Sequence, residues 1–263
     1  MESPPRVVVT GIGLVTSVGI GCEAFWQAIR EGRTGIGPVE SFDSSRYAVH
    51  IGGEVKHFDP SAALQRSTPA SMSRASQLAI AAARLAIDDA RLDLSSVDAS
   101  TFGVSMGTTS GEPTMVEYFN DLELAGRRNE LGPRFIEQYP SHLIAANVAT
   151  ELRLAGPNLV IPTACAAGNY AIAHSASCIR NGRAAMMLAG GADAFSRITY
   201  TGFARLNAIA PDRCQPFDKN RKGMIPGEGA AILVLERRDE ALARGAHIYA
   251  ELVGFGLTCD ANH

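Results

Sequence analysis

Pro162-Thr163-Ala164-Cys165-Ala166-Ala167-Gly168 sets a thiol between two stretches of different character. Before it, Asn158-Leu159-Val160-Ile161 is a short apolar run ended by a proline, which reads as a strand. After it, residues 165–181 read as a helix whose circumference is almost entirely small or apolar. Ala166, Ala167, Gly168, Ala171, Ile172, Ala173 and Ala176 are interrupted mainly by Asn169 and His174. A helix that is apolar all round is a buried helix. A single sheet covers only one face of it, so the pattern calls for a second layer of structure on the other.

Working outward, 184–189 reads as a strand, and late strands at 230–235 and 247–255 flank a short helix near 239–244. Near the start, Arg6-Val7-Val8-Val9-Thr10 is a β-branched strand that stops at Gly11-Ile12-Gly13, read as a turn, before the helical Glu23-Ala24-Phe25-Trp26-Gln27-Ala28-Ile29. Residues 33–70, rich in Gly, Ser, Pro and Asp, are irregular. Residues 73–90 form the clearest helix, with Leu78, Ala82, Leu85 and Ala86 along one face. A strand near 101–106, a helix opening around Ser110-Gly111-Glu112-Pro113 and another over 141–152 complete the pattern. Such alternation predicts an α/β fold with a mostly parallel, mixed sheet and helices on both faces.

The composition narrows the function. With 24 basic against 27 acidic residues and a net charge of −3, no overall field draws the chain to nucleic acid or to an anionic membrane. The opening Met1-Glu2-Ser3-Pro4-Pro5 lacks the basic and apolar regions of a signal peptide. No apolar run reaches the roughly 18 residues that span a bilayer, so the expectation is a soluble, cytoplasmic protein. Five cysteines, Cys22, Cys165, Cys178, Cys214 and Cys259, stand singly without CxxC pairs, which suggests neither a zinc site nor a disulfide framework. Gly11-Ile12-Gly13 lacks the third glycine of a dinucleotide fingerprint, so no nucleotide or other cofactor is assigned.

Cys165 occupies a chemically loaded position. Unpaired amides and the positive end of a helix dipole favour a thiolate, and the same amides can bind an oxyanion developing at a thioester carbonyl. Small neighbours leave room for a substrate. An inert buried thiol is the commoner fate of a single cysteine and is the competing reading of the spacing alone.

Thr163-Ala164-Cys165-Ala166-Ala167-Gly168 resembles the nucleophile motif of the β-ketoacyl-acyl-carrier-protein synthases, and Leu188-Ala189-Gly190-Gly191-Ala192-Asp193 resembles the Gly-Gly turn that follows it in that family. Val8-Val9-Thr10-Gly11-Ile12-Gly13, Pro216-Phe217-Asp218 and Gly227-Glu228-Gly229-Ala230 are similar to further family segments in the same order. The likeness is strongest to the chain-elongating condensing enzymes of fatty acid and type II polyketide synthesis. It implies the N-terminal half of a thiolase-like fold, residues 1–251, with 252–263 beginning a C-terminal half. It also implies Cys165 as catalytic nucleophile, an acyl carrier protein as partner, a homodimer, and no metal or cofactor. Members without cysteine at this position serve as chain-length factors or decarboxylases, so Cys165 argues against that role. Ser110 falls where some members carry a larger residue lining the acyl pocket, and Phe203 resembles an aromatic near the acyl channel.

The chain also departs from the family. The two histidines that hold the malonyl thioester and assist its decarboxylation, and an accompanying lysine, belong to a second half that is not in this sequence, so the resemblance implies condensation only with that half supplied. The rival expectation is a non-catalytic or truncated half-synthase acting as an interaction subunit. His174 lies nine residues after Cys165, and at about 100° per residue it points away from the thiol. His50 and His57 fall in the irregular region, His142 at a helix start, His247 at a strand start and His263 at the end. Gln215, Lys222 and Met224 stand where the family usually has Arg, an acid and Phe, which affects the loop they occupy. Arg66, Arg74, Arg127, Arg128 and Arg134 are candidates for meeting an acidic carrier. Gly103-Val104-Ser105-Met106-Gly107 matches the G-x-S-x-G elbow of serine hydrolases, but Gly107-Thr108-Thr109-Ser110-Gly111 extends the break where a true elbow enters a helix, which disfavours Ser105.

Overall fold

The computed structural model describes residues 4–259 and 261. Its strands are β1 (Val7–Thr16), β2 (Gly19–Ile20), β3 (Gly37–Pro38), β4 (Ile51–Gly52), β5 (Phe102–Gly107), β6 (Asn158–Ile161), β7 (Met186–Asp193), β8 (Gly229–Arg237) and β9 (Ala250–Glu251). The α-helices are α1 (Cys22–Arg30), α2 (Arg74–Asp89), α3 (Pro113–Leu124), α4 (Arg134–Gln138), α5 (Leu143–Leu152), α6 (Ala167–Arg180), α7 (Arg197–Arg205) and α8 (Arg238–Ala243). Seven strands form one mixed sheet in the order β2-β1-β8-β7-β5-β6, with β9 also on β1. Helices α2 and α5 cover one face and α6 the other.

The sheet is mixed in a particular way. Pairs β5/β6 and β5/β7 are parallel, whereas β8 is antiparallel to both β7 and β1. Strands β1, β5, β6 and β7 therefore run in one direction, and β8 is inserted against them. The segment from β7 to β8 does not cross to the other end of the sheet as a β-helix-β unit does, so β8 returns antiparallel.

Glycines decide how the helices approach. The sequence reading made Gly11-Ile12-Gly13 a turn, but β1 runs straight through them, with a bulge between Val9 and Gly11. The bulge changes the facing parity of the strand. Val7 and Val9 face the α6 side, while Val15 joins the core under α2. A Cβ on Gly13 would stand 1.9 Å from the Ala82 carbonyl oxygen and one on Gly11 2.2 Å from that of Ala86, so these residues are bare because α2 lies on them. Gly190-Gly191, likewise expected as a turn, continues β7 beyond the predicted 184–189 strand. The element expected at 247–255 pairs only over β9, flanked by backbone bonds from the Tyr249 amide to Val9 and from the Leu252 amide to Val7.

The all-round burial expected of the Cys165 helix holds on one side only. Ala167, Ala171, Ser175, Ala176, Cys178 and Ile179 are buried against the sheet, but Asn169 is exposed and Tyr170, Ile172 and His174 are half-buried. The segment after β9 supplies part of an outer layer. The Arg180 guanidinium donates to the Leu252 carbonyl at 2.7 Å and stacks over Phe255, and the Tyr170 hydroxyl donates to Thr258 O at 3.3 Å. Val253 remains 86% exposed, so this layer is thin. On the open side of β6 no strand pairs among the described residues, and Asn158 and Leu159 are exposed there.

Gly13→Ala is expected to destabilise the chain by about 3 kcal/mol, because α2 backbone rather than a flexible side chain must move. Urea unfolding of the variant measures this; an unchanged midpoint would remove the contact from the account of the fold.

Candidate active site

The thiol of Cys165 is exposed in a short 3-10 turn, Ala164–Ala166, between the end of β6 and the start of α6. Ala164, directly before it, has φ 53°, a left-handed conformation that costs a non-glycine residue about 1 kcal/mol. Such strain persists where the surroundings over-determine it. Here the surroundings are the carboxyl ends of β5 and β7. A Cβ on Gly107 would lie 2.2 Å from the Ala167 carbonyl carbon, and the Cβ position of Gly191 lies 3.6 Å from Gly168 Cα. The first turn of α6 is thus seated on strand backbone, and the chain from Ile161 must fold sharply to reach it. Open α/β sheets place ligands outside the carboxyl ends of their strands, which is where the thiol stands.

A second loop at the same end, after β5, is pinned by one carboxylate. Asp193, ending β7, accepts from Thr108 Oγ1 at 2.9 Å, from the Thr109 amide at 2.8 Å and from the Ser110 amide at 3.2 Å. Thr108 Oγ1 in turn accepts from the Gly111 amide at 3.0 Å. Glu112 follows, buried, with its carboxylate receiving the Ala75 and Ser76 amides at 3.1 and 2.9 Å and the Ser76 hydroxyl at 2.7 Å. It ties the loop to the first turn of α2, where a negative charge meets the positive helix end. Burial nevertheless pushes its carboxyl up to about 7; the bonds from Ser76 and Ala75 oppose this, and the Asp193 charge adds to it.

Ser110 is exposed on this loop, its hydroxyl 3.4 Å from Thr199 Oγ1. Phe203, on α7, is partly buried and packs on the aromatic group of Phe195 and Tyr200. Ser105 is fully buried in the centre of β5 and its hydroxyl has no hydrogen-bond partner among the described residues, so it is no nucleophile elbow. His174 lies beside Cys178, Nε2 to Sγ 3.7 Å; burial lowers its pKa and the Arg183 charge adds to this. His50, His57, His142 and His247 are exposed, with His50 Nδ1 2.9 Å from Ser44 O and His247 edge-on to Tyr249, and His263 lies outside the described residues.

Among the arginines expected to meet a carrier, Arg74 is committed inside the fold. Its guanidinium donates to Glu228 at 2.8 Å and to Val55 O at 3.0 Å, because Glu228 is buried and needs a counter-charge. Arg127 pairs with Glu130, Arg128 with Glu123 at 3.6 Å, and Arg134 stacks over Tyr118. The loop holding Gln215, Lys222 and Met224 is exposed to its tip, with Phe217 uncovered at φ 63°. Its base is fixed by backbone bonds from the Met224 amide to Ala208 and from the Ala210 amide to Met224.

A sequence profile described as "Beta-ketoacyl synthase, N-terminal domain" matches residues 5–241. The chain belongs to this family. It is 39% identical over 265 residues to 3-oxoacyl-[acyl-carrier-protein] synthase 2 of Synechocystis sp., covering 98% of this chain and 64% of that one. Among solved structures, the ishigamide ketosynthase/chain length factor superposes with a TM-score of 0.96 at 39% identity, covering 99% of this chain and 65% of its counterpart. A type II PKS ketosynthase, solved in complex with its acyl-carrier protein and bound to the hexaketide, gives 0.83 at 31% identity, covering 96% and 63%. The chain therefore spans just under two thirds of the length of these relatives. The thiolase-like ketosynthase fold expected from the sequence is the one observed.

Asp193 and Glu112 are the residues that sequence reading passed over. Asp193 closes the Leu188-Ala189-Gly190-Gly191-Ala192-Asp193 segment quoted for the resemblance, and its place after two glycines at a strand end was the available signal. No helix of the described residues is long and apolar enough to cross a membrane.

The pH response of Glu112 follows from its raised value. Its contribution to stability is fully present below the ordinary value of 4.5 and is lost as pH rises through about 7. Between these pH values the melting temperature of the wild type is expected to fall relative to that of Glu112→Gln, which has no carboxyl to ionise. Parallel melting curves across the window would contradict the assignment.

Proposed function

We propose that this chain is the acyl-accepting half of a β-ketoacyl-acyl-carrier-protein synthase. The observation that carries the reading is the exposed Cys165 thiol on a strained turn over the carboxyl ends of β5 and β7. In its thiolate form the sulfur attacks the thioester carbonyl of an acyl carrier protein, the carrier thiol leaves and takes a proton, and an acyl-cysteine thioester remains. Amides at the start of α6 are the donors on this reading for the oxyanion, apart from that of Ala167, which bonds to Ala164 O. Malonyl decarboxylation and attack of the resulting carbanion on the acyl-cysteine then require the histidines of a C-terminal half. The domain boundary on this reading falls at residue 251.

The likeness to a ketosynthase solved with its acyl-carrier protein supports the same kind of partner here. Arg128 and Arg134, both exposed, are the residues through which an acidic carrier would be met. The open side of β6 suits pairing with a second copy, which gives the homodimer. Ser110 and Phe203 line the acyl path, and a small residue at 110 leaves it deep. The reaction belongs to fatty acid or polyketide synthesis in the cytoplasm.

A second reading is an interaction subunit without catalysis of its own. The half-uncovered outer face of α6, and the placing of His174 beside Cys178, favour it.

The test is intact mass after incubation with acyl-carrier thioester. Wild type is expected to gain one acyl group, and Cys165→Ala none. Absence of a Cys165-dependent adduct, both alone and with an added C-terminal half from a relative, would leave only the second reading.

A further inference from the structure

The face of the sheet opposite α6 carries a cavity of about 430 Å³, within the range of small-molecule sites. It opens between the last turn of α5, the side of α2 and residues 94–99. The 3-10 turn Ala99–Thr101 leads into the start of β5, and the Ala155 amide bonds to Ala99 O, so the cavity lies at the other end of the sheet from Cys165. Its position does not depend on what covers α6.

Three arginines, Arg66, Arg84 and Arg153, line it, with one acid, Glu151. That acid is saturated. Its carboxylate accepts the Gln65, Arg66 and Ser67 amides at 2.6, 3.0 and 3.1 Å and the Arg84 guanidinium at 2.7 Å. Arg84 thus neutralises Glu151, whereas Arg66 and Arg153 are exposed and make no ion pair among the described residues. The cavity is thus lined by two arginines that have no ion-pair partner among the described residues and by the partly buried apolar side chains of Leu94, Val97 and Leu154.

Arg153 is held at the mouth of the cavity by its place at the end of α5. It caps α5 at φ 58° and ψ 39°, a left-handed conformation that glycine adopts freely and arginine adopts at a cost. The conformation belongs to the closure of the helix, in which the Leu154 amide bonds to Ala149 O at 2.8 Å. The guanidinium fork suits the oxygens of phosphate, and the apolar floor suits a short hydrocarbon.

We propose that this cavity binds a small amphipathic phosphomonoester, its head held by Arg66 and Arg153 and its tail laid on Leu94, Val97 and Leu154. A site of this volume and concavity favours a small molecule over the flatter footprint of a carrier helix. It is separate from the acyl path and independent of the acyl-transfer reading.

Calorimetric titration of the full chain with hexyl phosphate is expected to give saturable binding, with inorganic phosphate weaker and hexanol undetectable. Arg153→Gly removes charge and strain together. It is expected to weaken hexyl phosphate at least tenfold while the melting temperature stays equal or rises, and Arg66→Ala to weaken it similarly. Arg128→Ala and Cys165→Ala are expected to leave it unchanged. No saturable binding by the wild type, full affinity in Arg153→Gly, or loss of binding in Cys165→Ala would each overturn the proposal. So would binding of acyl carrier protein that depends on Arg66 and Arg153 when hexyl phosphate does not bind.

Discussion

The closeness with which helices lie on this sheet governs the rest of the structure. Where α2 crosses β1 and where α6 begins over β5, a single methyl group would stand about 2 Å from helix backbone. Packing at that range leaves almost no freedom in the height or rotation of either helix, since interiors are already as dense as organic crystals. For α6 the consequence is local and chemical. A helix seated this low forces the chain arriving from Ile161 to climb onto it within a few residues, which is why Ala164 takes a left-handed conformation and why the next side chain is thrust outward.

Buried and half-buried carboxylates fasten loops to this frame. Asp193, Glu112, Glu151 and Glu228 each collect backbone amides from a segment remote in sequence: the β5 loop, the start of α2, residues 65–67, and the amides of Val55 and Phe195. A carboxylate with several amide donors replaces the water it lost and fixes those donors in one arrangement. Removing one such acid would release a loop and strand several amides, so each is costlier to lose than its single charge suggests. Two of the four are also balanced by arginine, Glu151 by Arg84 and Glu228 by Arg74.

Much of this was legible in the amino-acid order, and the failures have a common cause. The helix over 73–90, the strand at 158–161 and the passage from strand to helix at Cys165 announced themselves through local pattern, because apolar spacing and a proline stop are properties of neighbours in sequence; the 3-10 turn that holds Cys165 itself was read as the first turn of the helix. Gly11, Gly13, Gly190 and Gly191 were misjudged as turns because a bare Cα looks the same whether the chain bends there or another element presses on it. Helix α7 escaped notice because Ile198, Thr199, Tyr200, Thr201 and Phe203 are poor helix formers; the cap that starts it, Ser196 Oγ accepting from the Thr199 amide, is a single hydroxyl. The burial of Glu112 and Glu151 and the inward commitment of Arg74 depend on partners 36 to 154 residues away, which no window along the chain can see. Cys165 was the exception among site residues in that its place between strand and helix is marked by its immediate neighbours, although the seat that strains Ala164 is supplied by Gly107 and Gly191.

Among the described residues, strand β6, which delivers the chain to Cys165, is bonded along one side only. A ribbon clamped on a single edge is held less firmly on its free side, so the thiol's position rests on that one edge and on the seat of α6 over β5 and β7. Any strand added there would act as a splint, coupling the mechanical rigidity of the nucleophile to the occupancy of a surface that does not touch the reacting atoms.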